Sequence, residues 1–283
     1  MKPGTIGLDV SEYGVIGVSL DADGRVTHRG RAAGGDAIAK VIKQLGGAAG
    51  TSAIGVAIDP PATVAASKAF AARTAVVCTA AAAAIAAETG VGKAQGVDDA
   101  ICLWLGTRVF AGMILGGKPW TGAHGAAGSI AWLALNPVER QDYRRLGSLA
   151  SEVSTTGIAR RLSWRIQSGD ESAVLARAGT IAAITATDVF EGARGGDGVA
   201  ISVVRETAKY VAMAIANLAA AIDPEVIVIA GELAEAGDLL MEPIAQECAR
   251  RLPSSILAQF RVELSTLGSD GIAIGAARLA SAT

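Results

Sequence analysis

An opening that occurs twice is what most constrains the fold of this chain. Residues 5–10 (TIGLDV) form a short apolar run, followed by a turn and a second run, VIGVSL, at 15–20. After the middle of the chain, AICLWLGT (100–107) and VFAGMILGG (109–117) repeat the arrangement. Runs of this length, bounded by turn residues and followed by helical patterns, read as strands. Two such openings, each leading into further strands and helices, predict two α/β lobes of related fold with a cleft between them. Ligands of such folds sit where strand ends meet a turn or a helix N-terminus.

Between the openings the chain is punctuated clearly. Asp21–Gly24 is an Asp-x-Asp-Gly turn returning the chain into RVTHRG (25–30), so three antiparallel strands begin the first sheet. A helix over about 35–46 ends at Gly46-Gly47. AIGVAI (53–58) is a buried strand stopped by Asp59-Pro60-Pro61, and a strand near 75–78 enters an Ala-rich helix at 79–89. In the second half GKPW reads as a continuation of the strand at 109–117. Helices are predicted over about 147–165, 170–177, 185–193 and 197–222, then a strand at 224–231. A helix at 237–252, a strand at 261–267 and a closing helix at 271–281 complete the order. Topology places residues 1–103 with 271–283 in an N-terminal lobe and 104–270 in a larger C-terminal one.

Composition narrows the function classes. The 283 residues are 51% hydrophobic and 18% charged, with 35 glycines, which is a closely packed composition rather than a disordered one. A net charge of −2 with scattered Lys and Arg gives no footprint for nucleic acid. The longest apolar runs, such as Ala80–Ala87, fall far short of the ~20 residues that span a bilayer, so no membrane partner is expected. MKPGTIGLDV enters a strand pattern at once, so no signal peptide is expected. Cys78, Cys102 and Cys248 are far apart and odd in number, as reduced thiols of a soluble cytoplasmic protein would be.

Six stretches follow one another in a telling order: TIGLDV with its hairpin, AIGVAIDPP (53–61), LGTRVFAGMILGGKPWTGAHGAAGSIAWL (105–133), VFEGARGGDGVA (189–200), DPEVIVIAGELAEAGDLLMEPI (223–244) and LGSDGIAIGAARLA (267–280). Together they resemble the ROK family (repressors, open reading frames and kinases) of the actin-like sugar-kinase fold. The third follows, nearly residue for residue, a pattern of the type LGTGIGGGIILDGKLLRGANGAAGEIGHM. The resemblance covers essentially the whole chain. It implies a two-lobed, ribonuclease H-like α/β architecture, with mixed sheets flanked by helices and a cleft between the lobes, and it favours a homodimer.

The working residues of the family do not carry over. Its catalytic segment reads like NDANAAALAE, where Asn binds the sugar and Asp is the general base; here those positions fall on Cys78 and Thr79. A Thr hydroxyl is not a base at neutral pH, and Thr79 suits the N-cap of the Ala-rich helix instead. The Glu of GEIGH that contacts sugar hydroxyls falls on Ser129, and the His that touches sugar and holds zinc falls on Trp132. The second sugar-binding Glu falls on about Ala150. The segment 136–150 has neither Cys nor His, so no zinc site is expected.

On the nucleotide side, the second phosphate turn reads Leu105-Gly106-Thr107-Arg108-Val109-Phe110-Ala111-Gly112. It keeps Gly106 and Thr107 but sets Arg108 and Phe110 where glycines would admit a phosphate, and β-branched Val109 argues for a plain hairpin. The family's Gly-Gly-Gly becomes Ala230-Gly231-Glu232, which adds negative charge near a nucleotide. Asp9 remains as a carboxylate that could hold Mg²⁺ through water or cap its own turn, and Ser11-Glu12-Tyr13 replaces the Gly-Gly-Thr after it. The residues carried over are thus Asp9, Gly106, Thr107 and Gly231 for a nucleotide, and Cys78, Thr79, His124, Ser129 and Trp132 for a ligand pocket. Each has a plainer reading. Cys78 is a small buried hydrophobe with no basic neighbour to activate it, and His124 makes a structural turn contact. Trp120 and Trp132 fill core or cleft, or stack on a ligand ring. Glu139–Arg145 is a solvated surface segment or a partner surface.

Concerted replacement of base, sugar ligands, zinc loop and phosphate glycines implies a pseudokinase. Such a chain keeps the fold as a ligand-binding or regulatory module for a small sugar-like molecule, with no catalytic residue and no cofactor assigned. The alternative is an active ATP-dependent sugar kinase of glucokinase or fructokinase type, using ATP and Mg²⁺, with Asp59 recruited as base. A transcriptional regulator is disfavoured, because such relatives carry a helix-turn-helix ahead of the first sheet and four residues stand there here.

Overall fold

The computed structural model describes residues 4–46, 51–58 and 75–282. The chain divides into two compact units, one of residues 1–102, 112–125 and 265–283, the other of residues 103–111 and 126–264. In the first, β1 (Gly4–Ser11), β2 (Gly14–Leu20), β3 (Val26–Ala32), β4 (Thr51–Ile58) and β5 (Ala75–Cys78) form a mixed sheet of order β3-β2-β1-β4-β5. β1 pairs antiparallel with β2, and β2 with β3, while β1, β4 and β5 run parallel. Asp21 fixes the β2–β3 turn, its Oδ1 accepting the N–H groups of Asp23 and Arg25 at 2.9 Å each.

The central strand is buried on both faces. Ile6, Leu8 and Val10 join Val41 of α1 (Ala37–Gln44) in one core layer. The opposite face lies against the closing helix Gly271–Ser281, with Val18, Leu20, Ala273, Ile274 and Ala277 packed beside Ala87 of α2 (Ala80–Val91). Backbone meets backbone there: a Cβ on Gly55 would stand 1.8 Å from the Ala276 carbonyl oxygen, and one on Gly7 1.9 Å from that of Ala273. The glycine-rich composition is used in this contact.

The second sheet has the order β10-β9-β6-β7-β8, from β6 (Ala100–Leu105), β7 (Val109–Leu115), β8 (Lys118–Pro119), β9 (Val226–Ala230) and β10 (Arg261–Leu264). β9 is buried throughout and pairs parallel with β10. GKPW does not continue β7. Gly116 and Gly117, at φ +57° and +72°, turn the chain back so that Ile114 faces Pro119.

The helix expected over 147–165 is likewise not continuous. α3 (Gln141–Leu146), α4 (Ser148–Val153) and α5 (Thr155–Gln167) are separated at Gly147 and Ser154. Gly147 has φ +91°, a conformation that L side chains rarely adopt, and the Ser154 hydroxyl caps α5 by accepting the Gly157 N–H at 3.1 Å. α6 (Ala173–Ala178), α7 (Ala186–Arg194), α8 (Gly198–Ile222), α9 (Gly237–Ala249) and α10 (Ser254–Leu257) follow, and the closing helix is α11 (Gly271–Ser281). Among the described residues no helix is long and apolar enough to cross a membrane.

Candidate functional site

In the first unit the parallel strands bring three positions into one row. Asp9 of β1 pairs with Ala57 of β4, and Ala57 with Cys78 of β5. Asp9 is only 2% exposed. Burial first, and then the Asp9 charge, push the Cys78 thiol up to about 11, so it stays protonated at neutral pH and serves as a small packed group. Its Sγ lies 3.6 Å from the Val56 carbonyl oxygen.

Thr79 follows directly as the N-cap of α2, its Oγ1 accepting the Ala82 N–H at 3.1 Å. The helix-cap role expected from sequence is therefore the one its hydroxyl performs. Registering the resembled segment at the strand end sets its Asp on Thr79, and counting back from Glu88 sets it on Ala80. Neither residue carries a carboxylate. Asp59 lies outside the described residues, and His124 stands exposed in the turn at 123–125.

In the second unit the turn between β6 and β7 is closed by a side chain. Glu232 follows Gly231, whose φ of +83° and close approach to Leu105 (2.5 Å from its carbonyl oxygen to a would-be Cβ) admit only glycine. Glu232 Oε1 accepts the Thr107 hydroxyl at 2.8 Å and lies 3.3 Å from the Thr107 N–H. A Cβ on Gly106 would stand 1.7 Å from Glu232 Oε2, so glycine is what lets the carboxylate in. Since Thr107 gives its proton to Glu232, the Thr155 hydroxyl donates to Thr107 at 3.3 Å, and the Thr155 N–H donates to the Gly106 carbonyl at 3.2 Å. Phe110 stacks on Trp104, with centroids 6.0 Å apart and rings within 2° of parallel, and the Arg108 guanidinium lies over Phe110. These side chains stack along the two strands that the turn joins.

Two of the positions that the resemblance sets beside a sugar, Ser129 and Trp132, lie in this unit. Ser129 precedes the 3₁₀ turn Ile130–Trp132 and spends its hydroxyl on the Ala126 carbonyl at 2.8 Å. Trp132 is 58% exposed, and in its 3₁₀ turn it is Ile130 that points inward; Trp120, in the first unit, is 50% exposed, so neither Trp fills a core. The segment 136–150 is not wholly a solvated surface either. Glu139 and Arg144 pair in solvent, but Tyr143 is buried and donates its hydroxyl to Glu152 Oε1 at 2.6 Å. Burial first, and then this carboxylate, hold the Tyr143 phenol well above its usual value. Arg140 and Arg161 complete the cluster, at 3.4 and 3.5 Å from Glu152. Among the described residues no group of three or more His, Cys, Asp or Glu could hold a metal ion, so this segment is fastened by ion pairs and does not fit zinc. Sequence reasoning missed Glu152 and Thr155, which carry no motif and gain their roles only by burial and proximity.

The sequence profile of the ROK family matches residues 61–283. This chain belongs to the ROK family. It is 37% identical over 188 residues to a glucokinase of Halalkalibacterium halodurans, an alignment spanning 65% of this chain and 56% of that enzyme. The chain thus spans a little over half the length of that curated relative. A ROK-family glucokinase from Streptomyces griseus, solved with glucose and AMPPNP, superposes with a TM-score of 0.85 at 25% identity, covering 99% of this chain and all of that one. A ROK-family transcriptional regulator, a homologue of the Escherichia coli MLC protein, superposes at 0.82 with 19% identity over 99% of this chain and 78% of its own, a likeness of fold alone. The two mixed sheets with their flanking helices are those of ROK sugar kinases in the actin-like fold, as the sequence pattern led us to expect.

Proposed function

We propose that this ROK-family chain is a pseudokinase, a ligand-binding or regulatory module for a small sugar-like molecule with no phosphoryl-transfer activity. The observation that carries the reading is Thr79. At the end of β5 the residue is a hydroxyl already committed to Ala82 of α2, and neither it nor Ala80 after it carries a carboxylate to take a proton from a sugar. Loss of a general base alone lowers a rate by about 10²–10⁴. The exposed Trp132, where the family has a sugar-contacting His, offers a ring face on which a pyranose can stack.

A coupled ATP-consumption assay over hexoses and amino sugars tests this. No sugar should give turnover near the ~1 s⁻¹ at the low end of kinase rates, and turnover at that level with any of them removes the reading. A thermal-shift panel of the same sugars then finds the ligand, since a binder at 100 times its Kd adds about 2.7 kcal/mol.

The second reading, an active ATP-dependent sugar kinase, is favoured by the 37% identity to a glucokinase. It requires another base, for which Asp59 is the candidate, and turnover abolished by Asp59→Asn would establish it.

A further inference from the structure

The donors of the β6–β7 turn are those that ordinarily serve a phosphoryl group. A backbone N–H beside a glycine and a hydroxyl converge on one point, and a glycine without side chain leaves room for an anion. In this chain an anion is already there. Glu232 Oε1 takes the Thr107 hydroxyl at 2.8 Å and faces the Thr107 N–H, while its Oε2 fills the space that Gly106 leaves open. The turn is braced from behind by Thr155, the first residue of the 13-residue helix α5, through its N–H to Gly106 and its hydroxyl to Thr107. Gly231 sets the carboxylate in place, because only glycine can sit that close to Leu105 at φ +83°. Seat, brace and occupant all belong to the second unit.

We propose that the Gly106–Thr107 turn is an anion seat with Glu232 as its built-in occupant, so that a phosphoryl group binds there only when this carboxylate is removed or displaced. The inference rests on the pseudokinase reading and deepens it, by naming the side chain that closes the nucleotide side. Two anions cannot share one hydroxyl and one N–H. A phosphate approaching the seat meets both an occupied donor pair and a like charge at contact distance.

Inorganic pyrophosphate and ADP, titrated calorimetrically into wild type, E232Q, E232G and E232G/T107V proteins, test the proposal. E232G should bind both probes at least about tenfold more tightly than wild type, which corresponds to about 1.4 kcal/mol. E232Q, which keeps volume and an acceptor but not the charge, should lie between them and carries the test if the glycine variant fails to fold. T107V should cancel the gain. Binding by E232Q and E232G no tighter than wild type, or a gain that survives T107V, overturns the proposal. The two readings fail separately. A wild-type chain that phosphorylates a hexose removes the pseudokinase reading but leaves the affinity ratio to be judged. Equal affinities remove the built-in occupant and leave the pseudokinase reading standing on Thr79.

Discussion

At Thr79, capping and chemistry can be separated by substitution. The side chain accepts one of the N–H groups that the first turn of α2 leaves unpaired, and loss of such a cap costs about 1 kcal/mol. Thr79→Ala should therefore lower unfolding stability by about that amount in urea denaturation followed by circular dichroism. Thr79→Asp should hold stability within about 0.5 kcal/mol, because a carboxylate caps as well as a hydroxyl and favours the positive end of the helix. Neither variant should show ATP turnover in a coupled assay. Turnover in Thr79→Asp alone would mean that the remaining groups are still competent, which is the opposite of what Ser129 and Glu232 lead us to expect. This residue was legible in the sequence because capping is local chemistry. The role of Glu232 was legible only as added charge, since the contact to Thr107 spans 125 positions and no local pattern records it.

Elements were read well where their boundary signals lie in the chain itself. The long α8 begins at Gly198, capped by Asp197, and the closing helix at Gly271, close to where the sequence placed them. The reading failed at Gly116-Gly117, where the turn depends on a positive φ that a glycine alone does not announce, and at Ser154, an extended residue of φ −68° and ψ 157° that interrupts the helix expected over 147–165. Asp197 shows how much one boundary residue does. Its Oδ1 caps α8 through the Ala200 N–H at 2.8 Å, and its Oδ2 takes the Ala173 N–H at 2.7 Å and the Ser172 hydroxyl at 3.0 Å at the start of α6. Burial acts to raise its pKa, but the N–H groups of Ala200 and Ala173 and the Ser172 hydroxyl outweigh it and hold the carboxyl below its usual value. A depressed folded-state pKa stabilises the fold fully above the unfolded value near ~3.9, and that contribution fades as pH falls through the folded one. Asp197→Ala should cost about 2 kcal/mol at pH 7, from a lost cap and two lost charge-assisted hydrogen bonds. The gap between variant and wild type in thermal unfolding should be constant from pH 5 to 8 and narrow only below about pH 4. A gap unchanged down to pH 2 would assign the loss to packing instead.

On the scale of the whole chain, the first sheet is completed by its last helix. α11 comes from the far end of the sequence, yet it lies directly on β1 and β4 through Gly7 and Gly55, and on α2 through Gly275. The apolar run of β1 and the helical stretch at 271–281 made both elements legible, but not their contact, because only the fold says which glycines must stay bare. A Cβ on Gly55 would stand 1.8 Å from the Ala276 oxygen and 2.3 Å from its carbonyl carbon, and both are backbone atoms that no rotamer change can move. Gly55→Ala should therefore force α11 off the sheet and cost more than the 1–3 kcal/mol usual for overpacking. The control is Gly198→Ala at the first position of α8, where nothing lies within 4 Å of the added methyl. That change should leave stability unchanged or raise it by up to about 1 kcal/mol, because alanine is the better helix former and restricts the unfolded chain. Thermal unfolding of the two variants side by side checks the argument. A Gly55→Ala protein within 1 kcal/mol of wild type would show that α11 does not rest on the sheet backbone, whereas loss of soluble protein with Gly198→Ala intact is the outcome that close contact requires.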